Sequence, residues 1–177
     1  MKSDDPFHTY SVTAFFHFTD RRNLPLIRNL GGLYPSAELE RQEIHVPAPG
    51  GNQWSRDADA RKNMDDYIHL CFRPNHPMEY LAREEGRIKD SIFLQIHPDI
   101  LQLHGIMYSP DVANKSGVPI HSIADALKHD LIDFEILYTR TNWSDPALQA
   151  RLQAAERSEL LVPDRIPLKY IRNLPNG

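Results

Sequence analysis

The chain has a single cysteine, Cys71, in 177 residues, so no internal disulfide can form and cysteine-rich zinc modules are excluded. A lone thiol suits a reducing cytoplasm. No stretch approaches the roughly 20 apolar residues of a membrane-spanning helix. The opening MKSDDPFHTYS is acidic and polar, unlike a secretory signal. A cytoplasmic protein without membrane contact is therefore expected. Glycine is scarce, eight against fourteen prolines, and neither GxGxxG nor a P-loop occurs. A nucleotide would have to be held without either device. The nine histidines form no HExxH and no tight cluster with Cys or Asp, so no metal is expected. GxSxG is also missing, which argues against a serine hydrolase of that type. The net charge of −4 argues against a non-specific nucleic-acid coat protein. Basic residues gather locally at Arg21-Arg22, Arg56-Arg61-Lys62 and Arg83-Arg87-Lys89. Each group reads either as a solvated face or as part of a local basic groove.

What is present points to one compact α+β domain over residues 1–177, with 41% hydrophobic and 25% charged residues. SVTAFFHFT at 11–19 is rich in β-branched and aromatic residues and predicts a strand. In the next stretch Leu24, Ile27 and Leu30 recur at helical spacing before Gly31-Gly32. Residues 36–54 read as irregular, and Ser55 as the cap of a short helix from Arg56 to about Met64. YIHLCF at 67–72 predicts a buried strand, PMEYLARE at 77–84 a helix entered through Pro77, and SIFLQIH at 91–97 a strand. HPDILQ reads as a helical turn, GIMYS at 105–109 as a strand and SIADALKH at 122–129 as a helix. DFEILYT at 133–139 predicts a strand. Asp145-Pro146 opens a helix to about Arg157 that buries Leu148, Leu152 and Ala155. SELLVP at 158–163 and LKYI at 168–171 predict closing strands. The mixed order lacks regular βαβ alternation, which favours α+β over a doubly wound sheet.

Three places could carry chemistry. His17 and Thr19 share a face of the first strand with Phe15, because side chains alternate along a strand. They are either satisfied by nearby backbone or turned toward a ligand. The polar stretch at 50–67 is either a capped surface helix or a phosphate grip, in which Arg56 or Arg61 would bind bidentately. Glu159 shares a face with Leu161 in the late strand. It is either an edge residue in water or a catalytic carboxylate whose pKa burial has raised. Glu156 reads as an exposed helix residue. Cys71, between Leu70 and Phe72, reads as buried and inert.

Four segments, FFHFTDRRNLPLIRNLGGL at 15–33, GGNQWSRDADARKNMDDYIHLCF at 50–72, PNHPMEYL at 74–81 and AAERSELLVPDRIPLKYI at 154–171, together resemble the DarT family, the toxins of DarT–DarG modules. The resemblance implies an ADP-ribosyltransferase fold, with two short twisted β-sheets forming an NAD cleft and flanking helices. It implies NAD⁺ as substrate, without a metal, and transfer of ADP-ribose to a thymine or guanine in single-stranded DNA. It assigns His17 and Thr19 of the H-x-T strand and Asn23 of the N-L-x-x-I stretch to NAD⁺. Tyr67 of the D-Y pair is assigned there too, with Arg56 first and Arg61 second for the phosphates. Glu159 is the implied catalytic glutamate and Arg56 its catalytic companion. A macrodomain antitoxin of the DarG type is the implied partner. Many relatives read P-F-Y-F after D-Y, where this chain has His69-Leu70-Cys71-Phe72, so Cys71 cannot stack as an aromatic would. Tyr108, Tyr138, Arg140 and Trp143 lie where target recognition is expected, though Tyr138 could equally be core. Two alternatives stand beside this reading. One is the same chemistry on RNA or protein. The other is a silent module that binds NAD⁺ or a partner.

Overall fold

The computed structural model describes residues 5–140 and 142–175. In chain order the elements are α1 (Pro6–Thr9), β1 (Phe15–Asp20), α2 (Leu24–Leu30), β2 (Gly32–Leu33), α3 (Ser36–Arg41), α4 (Gln53–Lys62), β3 (Tyr67–Cys71) and α5 (Pro77–Glu84). They continue with β4 (Ser91–Ile96), β5 (Met107–Ser109), β6 (His121–Ser122), α6 (Ile123–Lys128), α7 (Phe134–Tyr138), α8 (Pro146–Ala155), β7 (Glu159–Pro163) and β8 (Ile166–Pro167). Short 3-10 turns stand at Arg21–Asn23, Pro98–Gln102 and Leu168–Tyr170. Among the described residues no helix is long and apolar enough to cross a membrane.

Six antiparallel strands form one sheet in the order β4-β1-β3-β7-β5-β6, and β2 pairs with β8 in a second sheet of two. The larger sheet is nearly divided in two. β1 matches β4 along its whole length, from Phe15↔Ile96 to Asp20↔Ser91. β3 matches β7 from Tyr67↔Pro163 to Cys71↔Glu159. Between these halves, β1 and β3 share only the pair Phe16↔Cys71. Beyond that pair the strands part, and the side chain of His17 takes over from the ladder: its Nδ1 donates to the His69 carbonyl at 3.1 Å. The core packs against this sheet around Phe15, Leu70, Phe72, Leu94, Leu160 and Val162, all buried.

Local chemistry explains most element ends. Asp20 caps the 3-10 turn that leads into α2, and Gly31 stops that helix in the left-handed region at φ 75°. His76 caps α5 through Nδ1, and Asp145 caps α8 by accepting from Ala147 and Leu148. In α8 only Leu152 is buried, while Leu148 and Ala155 are half-buried.

Four expectations need correction. Residues 133–139 are not a strand. Asp133 accepts from the Ile136 N–H, and Phe134, Leu137 and Tyr138 then fall at the i, i+3, i+4 spacing of a helical face. Arg151 of α8 clamps the start of α7 with bonds to Asp133 at 2.6 and 2.7 Å and to Glu135 at 2.8 Å. LKYI forms a 3-10 turn behind Pro167, and only Ile171 bridges to Ile96. Residues 36–41 are helical, tied by the Arg41–Glu38 ion pair at i,i+3. The α4 helix starts earlier than Ser55. Asn52 caps it by accepting from the Ser55 N–H at 2.8 Å, and Ser55 lies buried inside its first turn.

Candidate active site

β7 runs between β3 and β5, so its first residue, Glu159, lies in the sheet interior between Cys71 and Ser109. Only 4% of its surface is exposed. The edge position in water is thereby excluded. A carboxylate in such a place needs partners, and it has three close by. Oε2 accepts the Ala113 N–H at 2.8 Å and His69 Nδ1–H at 3.1 Å. Oε1 accepts no hydrogen bond among the described residues; His76 Nε2 stands 3.5 Å away. His76 is itself buried, and its Nε2 has no hydrogen-bond partner there.

The tautomers follow from the partners. His69 Nδ1 meets a carboxylate and its Nε2 meets the Met64 carbonyl at 3.0 Å. With Glu159 ionised neither partner can donate, so both ring nitrogens then carry protons and His69 is an imidazolium. Burial works against that charge, but the adjacent Glu159, with Asp59 behind it, lifts the ring to about 9. The Glu159 carboxyl moves the other way from expectation. Burial pushes it up, but the His69 charge and hydrogen bond, the His76 ring and the Ala113 amide outweigh burial, and it titrates below its ordinary value. His17 is lowered, chiefly by burial, and is neutral. Its Nδ1 proton points to the His69 carbonyl, which leaves Nε2 as an acceptor.

The other sequence candidates are placed as follows. Thr19 is buried, and its hydroxyl accepts from Asn23 Nδ2 at 3.1 Å. Asn23 is buried as well, its amide engaged by Thr19 and by both backbone groups of Ala48. Arg56 and Arg61 lie on α4, five residues and so about 140° apart around the helix. Neither has an acidic partner within salt-bridge distance among the described residues. Arg56 donates to Gln53 at 2.9 Å, and its stem lies beside Gly51. Arg61 is exposed and lines an apolar hollow of about 440 Å³ with Trp54, Met78, Val112, Asn114 and Lys115. Val112 and Asn114 in its lining flank Ala113, whose amide holds the Glu159 carboxylate. Tyr67 lies at the far end of β3 from Glu159, in a second hollow of about 540 Å³ with Tyr34, Arg41 and Arg165. The structure thus links Glu159 to His17 through His69 and ties Thr19 to Asn23 beyond the end of that link, while Tyr67 stands at the opposite end of β3.

Three residues of this site were not picked out in the sequence: His69, His76 and Asp59. Asp59, on α4, has an Oδ1 that is buried without a partner. Burial and the Glu159 charge raise its carboxyl against the opposing pull of His69 and Asn114. The spacing of His69 from Tyr67 on one strand face was the available signal. Glu156, expected exposed, is buried and held by Arg73 at 3.1 Å and Asn75 at 2.8 Å. Tyr108 is core and donates to the Leu131 carbonyl, and Tyr138 donates to that of Phe72. Trp143 is 63% exposed and Arg140 is exposed. Cys71 is buried, and burial lifts its thiol well above the ordinary value. No metal-ligating cluster occurs among the described residues.

The family profile described as DarT, ssDNA thymidine ADP-ribosyltransferase, matches residues 16–174. The fold is similar to that of Thermus sp. 2.9 DarT in complex with ADP-ribosylated ssDNA, with a TM-score of 0.67 and 19% identity over 91% of this chain and 79% of that one. It is similar to Thermosipho africanus DarTG in complex with ADP-ribose, with a TM-score of 0.67 and 19% identity over 90% of this chain and 42% of that one. Thermus sp. 2.9 DarT in complex with NAD⁺ matches at a TM-score of 0.59 and 18% identity, over 91% of this chain and 80% of that one. No curated protein matches the chain. Profile and fold together define an ADP-ribosyltransferase. Within that class, the chain belongs to the DarT family.

Proposed function

We propose that this protein splits NAD⁺ and transfers its ADP-ribose to a thymine or guanine in single-stranded DNA, as the toxin of a DarT–DarG-type pair. The observation that carries this reading is Glu159, a buried anion with one oxygen clamped and Oε1 uncommitted, beside the parting of β1 and β3. The family profile names single-stranded DNA thymidine as acceptor, and a similar Thermus structure holds ADP-ribosylated DNA. The similarity to Thermosipho DarTG supports a macrodomain antitoxin as partner.

In this reading NAD⁺ is a substrate. His17 Nε2 accepts from a ribose hydroxyl, with Thr19 beside it on the same strand face. Arg56 binds the pyrophosphate through a bidentate guanidinium. Asn23 serves the NAD⁺ site at one remove by fixing the 47–52 loop through Ala48. The glycosidic electron pair leaves with nicotinamide, which becomes neutral, and positive charge builds on the ribose. Glu159 Oε1 stabilises that charge, as carboxylates do for oxocarbenium-like states, a contribution of roughly 3–4 kcal/mol. The base nitrogen then bonds to the ribose carbon, and its proton passes to Oε1 and on to water. A single strand offers its bases without the cost of extrusion from a duplex.

The test is a labelling assay with radioactive NAD⁺ and single-stranded DNA, single-stranded RNA or a protein extract, for wild type and Glu159→Ala. Label on DNA that disappears in Glu159→Ala is the expected result, and oligonucleotides lacking thymine or guanine then fix the base. Label on RNA or protein would overturn the acceptor. No label and no NAD⁺ consumption would point to a silent binding module.

A further inference from the structure

We propose that His69 is a positioning residue for Glu159: its imidazolium, donating to Glu159 Oε2 and to the Met64 carbonyl, immobilises one carboxylate oxygen so that Oε1 alone is presented to the ribose. This rests on the catalytic role proposed for Glu159. Both acceptors lie at hydrogen-bond distance, 3.1 and 3.0 Å, and neither can donate. Opposite an ionised Glu159 the ring is therefore doubly protonated. Met64 follows the end of α4, and its own N–H donates to the Asp59 carbonyl at 2.8 Å. The ring thus anchors Glu159 to a buried point rather than to a mobile side chain. The backbone carbonyl of His69 does a second task, accepting from His17 at 3.1 Å. One residue thereby fixes the relative placement of His17 on β1 and Glu159 on β7, across the gap where the ladder is missing.

The charge on His69 partly offsets the field Glu159 can direct at a cationic sugar. The division of labour between the oxygens limits that loss. Oε2 takes both hydrogen bonds, from His69 and Ala113, whereas Oε1 accepts none among the described residues and faces His76 Nε2 at 3.5 Å. Charged and titratable groups reach His69 from every side: Glu159 on β7, Asp59 on α4, His17 on β1 and His76 before α5. Two carboxylates thus face one imidazolium, and both favour its proton.

Two variants and one spectrum test the assignment. His69→Gln keeps a donor but cannot carry charge, and Glu159→Gln reports separately on the carboxylate. His69→Gln is expected to lower kcat about tenfold with KM for NAD⁺ within about twofold, and to move the acid limb of the kcat profile upward. A merely structural role for His69 would leave that limb in place. Nitrogen-15 spectra of the wild-type His69 ring at about pH 7 should show both nitrogens protonated, and a neutral ring in Glu159→Gln. A neutral wild-type ring overturns the proposal whatever the kinetics. An inactive Glu159→Gln beside a His69→Gln of unchanged kcat and acid limb overturns it while leaving the reading of Glu159 intact. An active Glu159→Gln sinks that reading, and the positioning role with it.

Discussion

Asn23 serves Ala48 as a neighbouring strand would: its Oδ1 accepts the Ala48 N–H at 2.9 Å and its Nδ2 donates to the Ala48 carbonyl at 2.8 Å. Ala48 is 2% exposed, so neither backbone group has water as a substitute. The same Nδ2 reaches Thr19 at 3.1 Å. Asn23→Ala strands these buried groups, and a loss of about 2–4 kcal/mol is expected. Urea denaturation measures it. Amide exchange at residues 47–52 should speed up beyond the global effect, because the loop loses its side-chain tie to the turn that leads into α2. Uniform exchange across the chain would refute the clamp.

Asp20 is a second organising carboxylate and sits at the end of β1. It is out of solvent contact under a half-exposed Arg22, and accepts from Arg22, from Lys89 N–H at 2.8 Å and from Asp90 N–H at 3.3 Å. The Arg22 hydrogen bonds hold its carboxyl far below the usual range, against burial and with help from the three backbone amides. Its folded pKa is depressed, so its stabilisation is present above the ordinary value of 3.8 and is lost as pH falls below it. Asp20→Asn should cost about 2–4 kcal/mol near neutrality and much less at the acid end. Denaturation at several pH values tests this. An equal loss at both ends would show that charge is not the cause.

Much of the fold was legible because its signals are local. The β-branched and aromatic run of β1, the Gly31 stop, Pro77 at the start of α5 and Asp145-Pro146 at the start of α8 each act within a few residues. Residues 133–139 misled because F-E-I-L-Y fits both a strand and one helical turn. The cap by Asp133 and the clamp by Arg151 decide between them, and the clamp comes from another helix. The position of Glu159 was legible, but its state was not. Whether it faces water depends on β7 lying between β3 and β5, and its titration depends on His69, ninety residues away in sequence. Both facts belong to strand order, which periodicity does not encode.

The His69–Glu159 pair also sets a pH window for stability. His69 has its folded pKa raised to about 9, so its contribution is complete below its unfolded value of 6.5 and is lost as pH rises through about 9. Glu159 is lowered, so its contribution is present above its unfolded value of 4.5 and is lost on acidification. The pair is therefore most stabilising between 4.5 and 6.5. The gap in melting temperature between wild type and His69→Gln should be widest there and should narrow toward about pH 9.5. A gap independent of pH would mean that the ring contributes packing alone.

Arg56 and Arg61 share a helix but are expected to serve different ligands. Arg56 packs on Gly51 in the loop that Asn23 fixes, on the side of β1. Arg61 faces the hollow with Trp54, which is 68% exposed, and with Lys115. An exposed indole beside a guanidinium with no acidic partner among the described residues suits a stacked base and its phosphate. Arg56→Ala should raise KM for NAD⁺ about tenfold and leave the salt dependence of DNA binding unchanged. Arg61→Ala should leave KM for NAD⁺ unchanged and flatten the slope of log affinity for single-stranded DNA against log salt by about 0.7, the loss of one phosphate contact. Trp54→Ala should weaken DNA binding by about 1–3 kcal/mol with the salt slope retained, because stacking releases no counterions. If Arg61→Ala raised KM for NAD⁺ while the slope stayed put, the pyrophosphate would belong to Arg61, and the hollow beside Trp54 would be part of the NAD⁺ site.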